Sequence, residues 1–283
     1  MEKAIREPIV AGAFYPGTRD ALRADVESLF GGSLPRSESA SDSPVGLIAP
    51  HAGYPYSGPV AAAAYGRAAA CGRPDVALIL GANHTGWGEP FSLSGHAGWR
   101  TPIGDSPVDT ALVARLADSG IPVSDAAFVR EHSVEVQLPF IQCLWGCDLP
   151  IVPLCVLSGP FPPIAKHAES IGDALEGCAA LVVASSDFTH YEPDAVARAR
   201  DGKALERIRR LDTPGFDRLY REERMSICGA GSILALLEVC RRLGLTEGEL
   251  VQYATSGDAT GDRSAVVGYA GVVFTREAPC PAA

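Results

Sequence analysis

Residues 76–84 read VALILGANH. An unbroken apolar run ends in a glycine, and a histidine follows three residues later. A half-exposed strand would alternate apolar with polar residues, so a continuous run of this length reads as a strand covered on both faces. Similar strands are read at VGLIAP (45–50), PIVPLCVL (150–157) and ALVVASS (180–186), with two more at ELVQYATS (249–256) and AVVGYAGVVF (265–274). Helical patterns separate them, at 19–30, 58–70, 107–118, 133–145, 162–176, 194–211 and 229–243. The first carries Leu22, Val26, Leu29 and Phe30 at helical spacing behind Thr18 at the N-cap position. The last closes on Arg241, Arg242 and then Gly244, a C-terminal ending. Alternating strands and helices predict an α/β fold with helices on both faces of the sheet. The sheet is expected to be mixed and mostly parallel, because the last two strands lie close enough to pair as a hairpin-like unit.

Outward from this frame, one stretch breaks the pattern. GGSLPRSESASDSP (31–44) is rich in Ser, Pro and Gly and reads as a flexible loop. Only about thirty residues precede it, too few for an independent core, so it marks no domain boundary. We expect one domain over 1–283, with a tail at 276–283.

The 283 residues are 47% hydrophobic and 20% charged, which excludes a disordered chain. The net charge of −10 comes without any basic run, so nothing suits nucleic acid or an anionic membrane surface. With no apolar run of transmembrane length and no secretory leader in MEKAIREPIVAGAFYPG, a cytoplasmic location is expected. The eight cysteines form no disulfide framework, and in that compartment they are expected as thiols. Cys155 and Cys240 sit in apolar runs. Cys143 and Cys147 lie four apart on a predicted helix, with no His or second Cys pair to complete a zinc site, so packing is the favoured reading.

The histidines are more telling. His51, His84 and His190 each stand just past a predicted strand, and His132 stands just before a predicted helix. In α/β sheets ligands gather beyond the carboxyl ends of the strands. A lone histidine there is most often a satisfied loop residue, but several at equivalent strand ends predict a shared pocket. His96 and His167 lack this setting. Asp187, three residues before His190, is suited to bind metal or to orient an imidazole. Glu131 and Glu135 flank His132; either is placed to hold its ring, and a solvated helix start is an equal reading for Glu135. Cys228 stands at a loop-to-helix junction, where a helix N-terminus favours thiolate; a buried inert thiol is the equal alternative.

Seven motifs then occur in order: RxPIVAGAFYPG (6–17), LIAPHAGYPYSG (47–58), LGANH (80–84), REHSVEVQLPF (130–140), SSDFTHY (185–191), SICG (226–229) and YATSGDATGDRSAVVGYAG (253–271). Together they resemble the Memo family, whose prokaryotic members are called AmmeMemoRadiSam system protein B. The resemblance implies the LigB-like fold of class III extradiol dioxygenases. It implies a metal pocket at His51, His84 and Cys228, lined by His132, Asp187 and His190 as the candidate catalytic groups. Extradiol enzymes hold iron by two His and a carboxylate, whereas this pattern puts a thiolate in place of the carboxylate, which speaks against catechol ring cleavage. The implied cofactor is iron or copper, with zinc as the further option. Three functions follow as expectations: a metal-dependent oxidoreductase, a scaffold that binds a small molecule or peptide without turnover, and a metallohydrolase using zinc-bound water. The family's grouping also implies AMMECR-domain and radical SAM proteins as partners in a shared pathway.

Overall fold

The computed structural model describes residues 4–35, 41 and 43–276. Residues 36–40 and 42 of the predicted loop (31–44), and the tail from 277 with Cys280, lie outside the described residues.

The apolar runs form the centre of the sheet. Strands β2 (Val45–Ala49), β3 (Val76–Ala82), β7 (Ile151–Val156) and β8 (Ala180–Ser185) are buried at every residue. They run parallel in the order β2-β8-β3-β7. Each fully buried Leu, Ile or Val here contributes about 1.5–3 kcal/mol over leaving it in water. Strand β11 (Val266–Thr275) joins β2 antiparallel and β10 (Glu247–Thr255) joins β11 antiparallel, as the hairpin-like reading expected. At the other end β4 (Phe91–Leu93) pairs antiparallel with β7. The sheet is therefore mixed, with a parallel centre and antiparallel edges.

Helices cover both faces. Helix α2 (Tyr54–Ala69) packs on β2, β10 and β11, while α8 (Ala230–Arg242) packs on β2, β3 and β8. Helix α1 (Arg19–Leu29) lies on α2 and α4 (Leu138–Trp145), and α5 (Phe161–Ala174) lies on α8. Helix α6 (Asp194–Arg209) closes over β10 and β11. No helix of the described residues is long and apolar enough to cross a membrane.

Several predicted boundaries move, for local reasons. Thr18 takes the N-cap position of α1, but its side chain makes no capping bond. Helix α2 begins at Tyr54 rather than 58, because Pro55 in its first turn lacks only a donor that has no partner there. The helix expected from 107 starts at Thr110: Gly104–Pro107 forms strand β6 against β5 (Gly98–Thr101), and Asp109 caps helix α3 (Thr110–Asp118) by accepting the Leu112 N–H at 2.9 Å. Strand β5 in turn pairs with β1 (Ile5–Arg6) in a small second sheet. The helix expected from 133 is a 3₁₀ turn at Glu135–Gln137 before α4 begins, since Ser133, Glu135 and Gln137 turn their polar side chains inward. The elements not anticipated include β1, β4, β5, β6, β9 (His190–Glu192), which pairs with β11, and helix α7 (Thr213–Glu222), capped by Asp212. Gly244 does close α8 in the left-handed region, at φ 75°.

Candidate metal centre

Because β2, β8 and β3 are neighbours, the loops that leave their carboxyl ends meet. His51 follows β2, Asp187 and His190 follow β8, and His84 follows β3. Cys228 stands just before α8. Its approach depends on Gly229: a Cβ there would stand 2.6 Å from both the Ser185 carbonyl oxygen and the Ser186 Cβ, so only glycine lets the chain come this close to β8.

His51, His84 and Cys228 each present one donor atom to a cluster in which all three atoms lie within 4.8 Å of one another. The His51 Nε2 to Cys228 Sγ separation is 3.2 Å. Tetrahedral coordination with metal–nitrogen bonds near 2.0 Å and metal–sulfur bonds near 2.3 Å places neighbouring donors roughly 3.3–3.8 Å apart. The cluster therefore has the dimensions of a metal site.

Both imidazoles are set for coordination by what holds their other nitrogen. His51 Nδ1 lies 2.9 Å from Ser185 Oγ. That hydroxyl donates to the Ser133 carbonyl at 2.7 Å and accepts from the Gln137 amide at 2.8 Å, so its remaining lone pair accepts the His51 Nδ1–H. His84 Nδ1 lies 2.9 Å from Glu131 Oε1, and a carboxylate only accepts. This network assigns the proton to Nδ1 of both rings and leaves Nε2 of both bare. Burial, followed by the neighbouring His84, His132 and His190, holds His51 well below its ordinary pKa, in the neutral form a ligand needs. Burial also opposes charge on His84, but Glu131 outweighs it and raises that ring.

Of the two readings open for Cys228, the electrostatics favour the buried thiol. Burial first, then the Asp187 charge, pushes the thiol far above its ordinary range. The thiolate-favouring effect of the helix start is outweighed by desolvation. The sulfur also accepts the Asp187 N–H at 3.2 Å.

The other three predicted residues surround this cluster. The His132 ring stacks on His84 at 4.9 Å and meets His51 edge-on at 5.4 Å, with Phe14 behind it at 4.8 Å. His132 falls outside the His51–His84–Cys228 group, although with His84 and Glu131 it forms a second donor group of the same compass. Asp187 Oδ1 accepts the backbone N–H groups of His51 and Ala52, at 2.8 and 3.3 Å. It thus fixes the loop that carries His51, not the ring of His190. Burial lifts its carboxyl to about 6, against the lowering effect of those bonds. His190 directs Nδ1 at the carbonyls of Phe188 and Ser226, 2.6 and 2.8 Å away, which frees Nε2. His96 and His167 stand elsewhere: the first bonds Asp125 and Ser94, and the second packs on Phe91.

The residues that brace the pocket were the least legible ones. Glu131 holds His84 rather than the ring of His132, from which it lies 3.7 Å at the nearest. Glu135 is wholly buried, not at a solvated helix start. It takes Arg6 at 2.7 Å, the Tyr15 hydroxyl at 2.7 Å and the N–H groups of Ile9 and Val10. Arg6 also bonds the carbonyls of Phe128 and Glu131 and lies over Trp99. This pair ties the N-terminal segment to the wall that carries Glu131 and His132. Asp201 does the same behind His190, accepting from Thr189 Oγ1 and Tyr253 at 2.6 Å each.

The comparisons with known proteins bear on the same residues. A family model described as Memo-like protein matches residues 6–273. A MEMO1 family protein of Methanopyrus kandleri is 41% identical over 280 residues, covering 96% of this chain and 99% of that protein. Another, from Desulfurococcus amylolyticus, is 43% identical over 280 residues, covering 95% and 98%. Among solved structures, an uncharacterized protein of Escherichia coli K12 matches with a TM-score of 0.54 over 81% of this chain and 98% of that chain. At 16% identity that likeness speaks for the fold alone. The family match runs through the parallel sheet and through every loop of the donor cluster, and the chain belongs to the Memo family.

Proposed function

We propose that this protein is a metal-dependent redox protein in which His51, His84 and Cys228 hold one iron or copper ion beside a pocket for a small molecule. The observation that carries this reading is the preset state of the two imidazoles. Ser185 and Glu131 occupy Nδ1, which leaves Nε2 of both rings bare, and both rings share one donor cluster with the Cys228 sulfur. Two nitrogens and a soft sulfur suit Cu(I), zinc or iron, and three protein ligands leave a position open. Iron or copper bound there supplies Lewis acidity and one-electron redox chemistry.

The chain's own groups do the rest. Asp187 anchors the His51 loop through Oδ1 and keeps Oδ2 for a ligand. His190 keeps Nε2 for a proton, its other nitrogen being committed to carbonyls. His132, held neutral chiefly by burial, stands against both ligating rings as a second base.

The test is anaerobic titration of the metal-free protein with Fe(II), Cu(I) and Zn(II), with wild type beside Cys228→Ser and His51→Ala. We expect one ion per chain and an affinity loss above 100-fold in both variants, exceeding the roughly 10–100-fold cost of losing an outer partner. Equal affinity in Cys228→Ser removes the thiolate from the site. Zinc retained against both other metals, with no electron uptake by the iron- or copper-loaded protein, overturns the redox reading in favour of a metallohydrolase.

A further inference from the structure

Strand β11 contributes no metal ligand, yet it pairs with β9 and with the turn that follows β8. The Gly268 N–H donates to the Thr189 carbonyl at 2.9 Å, and the Gly268 carbonyl accepts the Phe188 N–H at 2.8 Å. This pairing lays Tyr269 alongside the turn that carries Asp187. Tyr269 is only 2% exposed, yet its hydroxyl bonds no described residue. Among the described residues, the side-chain polar atoms that are both sealed from solvent and unpartnered are Arg200 Nε and Thr213 Oγ1. The Tyr269 hydroxyl is not one of them, so it opens onto accessible space. The same holds for Asp187 Oδ2, since both backbone bonds to that carboxylate fall on Oδ1.

Burial, then the charges of Asp187, Tyr56 and Tyr191, hold the Tyr269 phenol far above its ordinary pKa. The group is therefore a neutral donor, and the Gly268 pairing sets it beside the turn that carries Asp187. Tyr56 and Tyr191 are 46% and 79% exposed, so both offer apolar ring surface to a ligand. Tyr191 takes a left-handed backbone at φ 60°, which bulky residues rarely adopt and which persists only where the surroundings enforce it.

We propose that Tyr269 and Asp187 form a hydroxyl-recognising subsite beside the metal cluster. The Tyr269 O–H donates to the oxygen of an alcohol-type ligand, and Asp187 Oδ2 accepts that ligand's own O–H. Its apolar part rests on the rings of Tyr56 and Tyr191. The subsite rests on the proposed function only for its neighbour; the donor–acceptor pair needs no metal.

The test uses benzyl alcohol and benzyl methyl ether, which share a ring and differ in whether the oxygen carries a proton. Each is titrated by NMR into metal-free and Co(II)-loaded protein, with wild type beside Tyr269→Phe. Wild type should prefer the alcohol by about 3- to 10-fold, the worth of one net hydrogen bond, and Tyr269→Phe should weaken alcohol binding by a similar factor while binding Co(II) as wild type does. Equal binding of both probes to wild type overturns the subsite, and that comparison requires no variant to fold. Binding of neither probe, or unchanged alcohol affinity in Tyr269→Phe, overturns it as well. Failure of Co(II) to bind while the alcohol preference persists in the metal-free protein refutes the metal reading and leaves the subsite standing.

Discussion

Glu131 grips His84 at two points, accepting its backbone N–H at 2.7 Å through Oε2 and its Nδ1–H at 2.9 Å through Oε1. Although burial opposes charge on this carboxyl, the bonds and charge of His84 and the Ser133 N–H bring it down to about 2. It is thus a carboxylate at every physiological pH, and it fixes both where the His84 ring points and which nitrogen stays bare.

Glu131→Gln should therefore lower metal affinity by roughly 10–100-fold, because an amide no longer enforces the Nδ1–H tautomer. Competitive titration against a chelator of known affinity reads the change. Affinity equal to wild type would mean that the ring is oriented by something else.

The Arg6–Glu135 pair, both partners almost fully buried, predicts an asymmetric stability response. Glu135→Ala strands the Arg6 guanidinium and the Tyr15 hydroxyl in the interior and should cost about 3–5 kcal/mol. Glu135→Gln keeps an acceptor and should cost less. Urea unfolding curves measure both, and a loss under 1 kcal/mol for Glu135→Ala would refute the bracing role.

Gly229 and Gly202 should respond in opposite directions to alanine. At Gly229 the new Cβ meets the Ser185 carbonyl oxygen at 2.6 Å, so the chain must retreat and carry Cys228 with it. About 1–3 kcal/mol of stability should be lost, together with metal affinity. At Gly202, inside α6, nothing stands within 4 Å of the new Cβ, and the gain should be about 0.4–1 kcal/mol from reduced unfolded-state entropy. Thermal melts of the two metal-free variants decide the matter, and equal shifts would contradict the close-approach argument.

Cysteines away from the cluster should be chemically quiet. Burial pushes the thiols of Cys143 and Cys178 up to about 11. At pH 8 their thiolate fraction is small, and it grows tenfold per pH unit until the pH nears that value. Iodoacetamide labelling followed by mass spectrometry should show slow modification at pH 8 that accelerates with the same slope. Changing Cys143, Cys147, Cys155 or Cys240 to Ala should leave metal stoichiometry unaltered. Metal loss in Cys143→Ala or Cys147→Ala would reveal a site on α4 that packing does not explain.

The sequence by itself determined the sheet and the loops that leave it. Runs such as VALILG lack any polar alternation, so only a strand buried on both faces accommodates them. A histidine just past such a strand has little freedom over where it lies. The contacts of Glu131, Glu135, Ser185 and Asp201 were decided by tertiary structure. Each is one polar residue with a partner from a segment far along the chain, as Arg6 is for Glu135 and Gln137 for Ser185. Local spacing carries no trace of such a partner. The ionisation of Cys228 shows the same division, since its place before a helix points to thiolate, whereas burial beside Asp187 favours the thiol. Desolvation depends on everything that packs around a group, and only the folded chain supplies that.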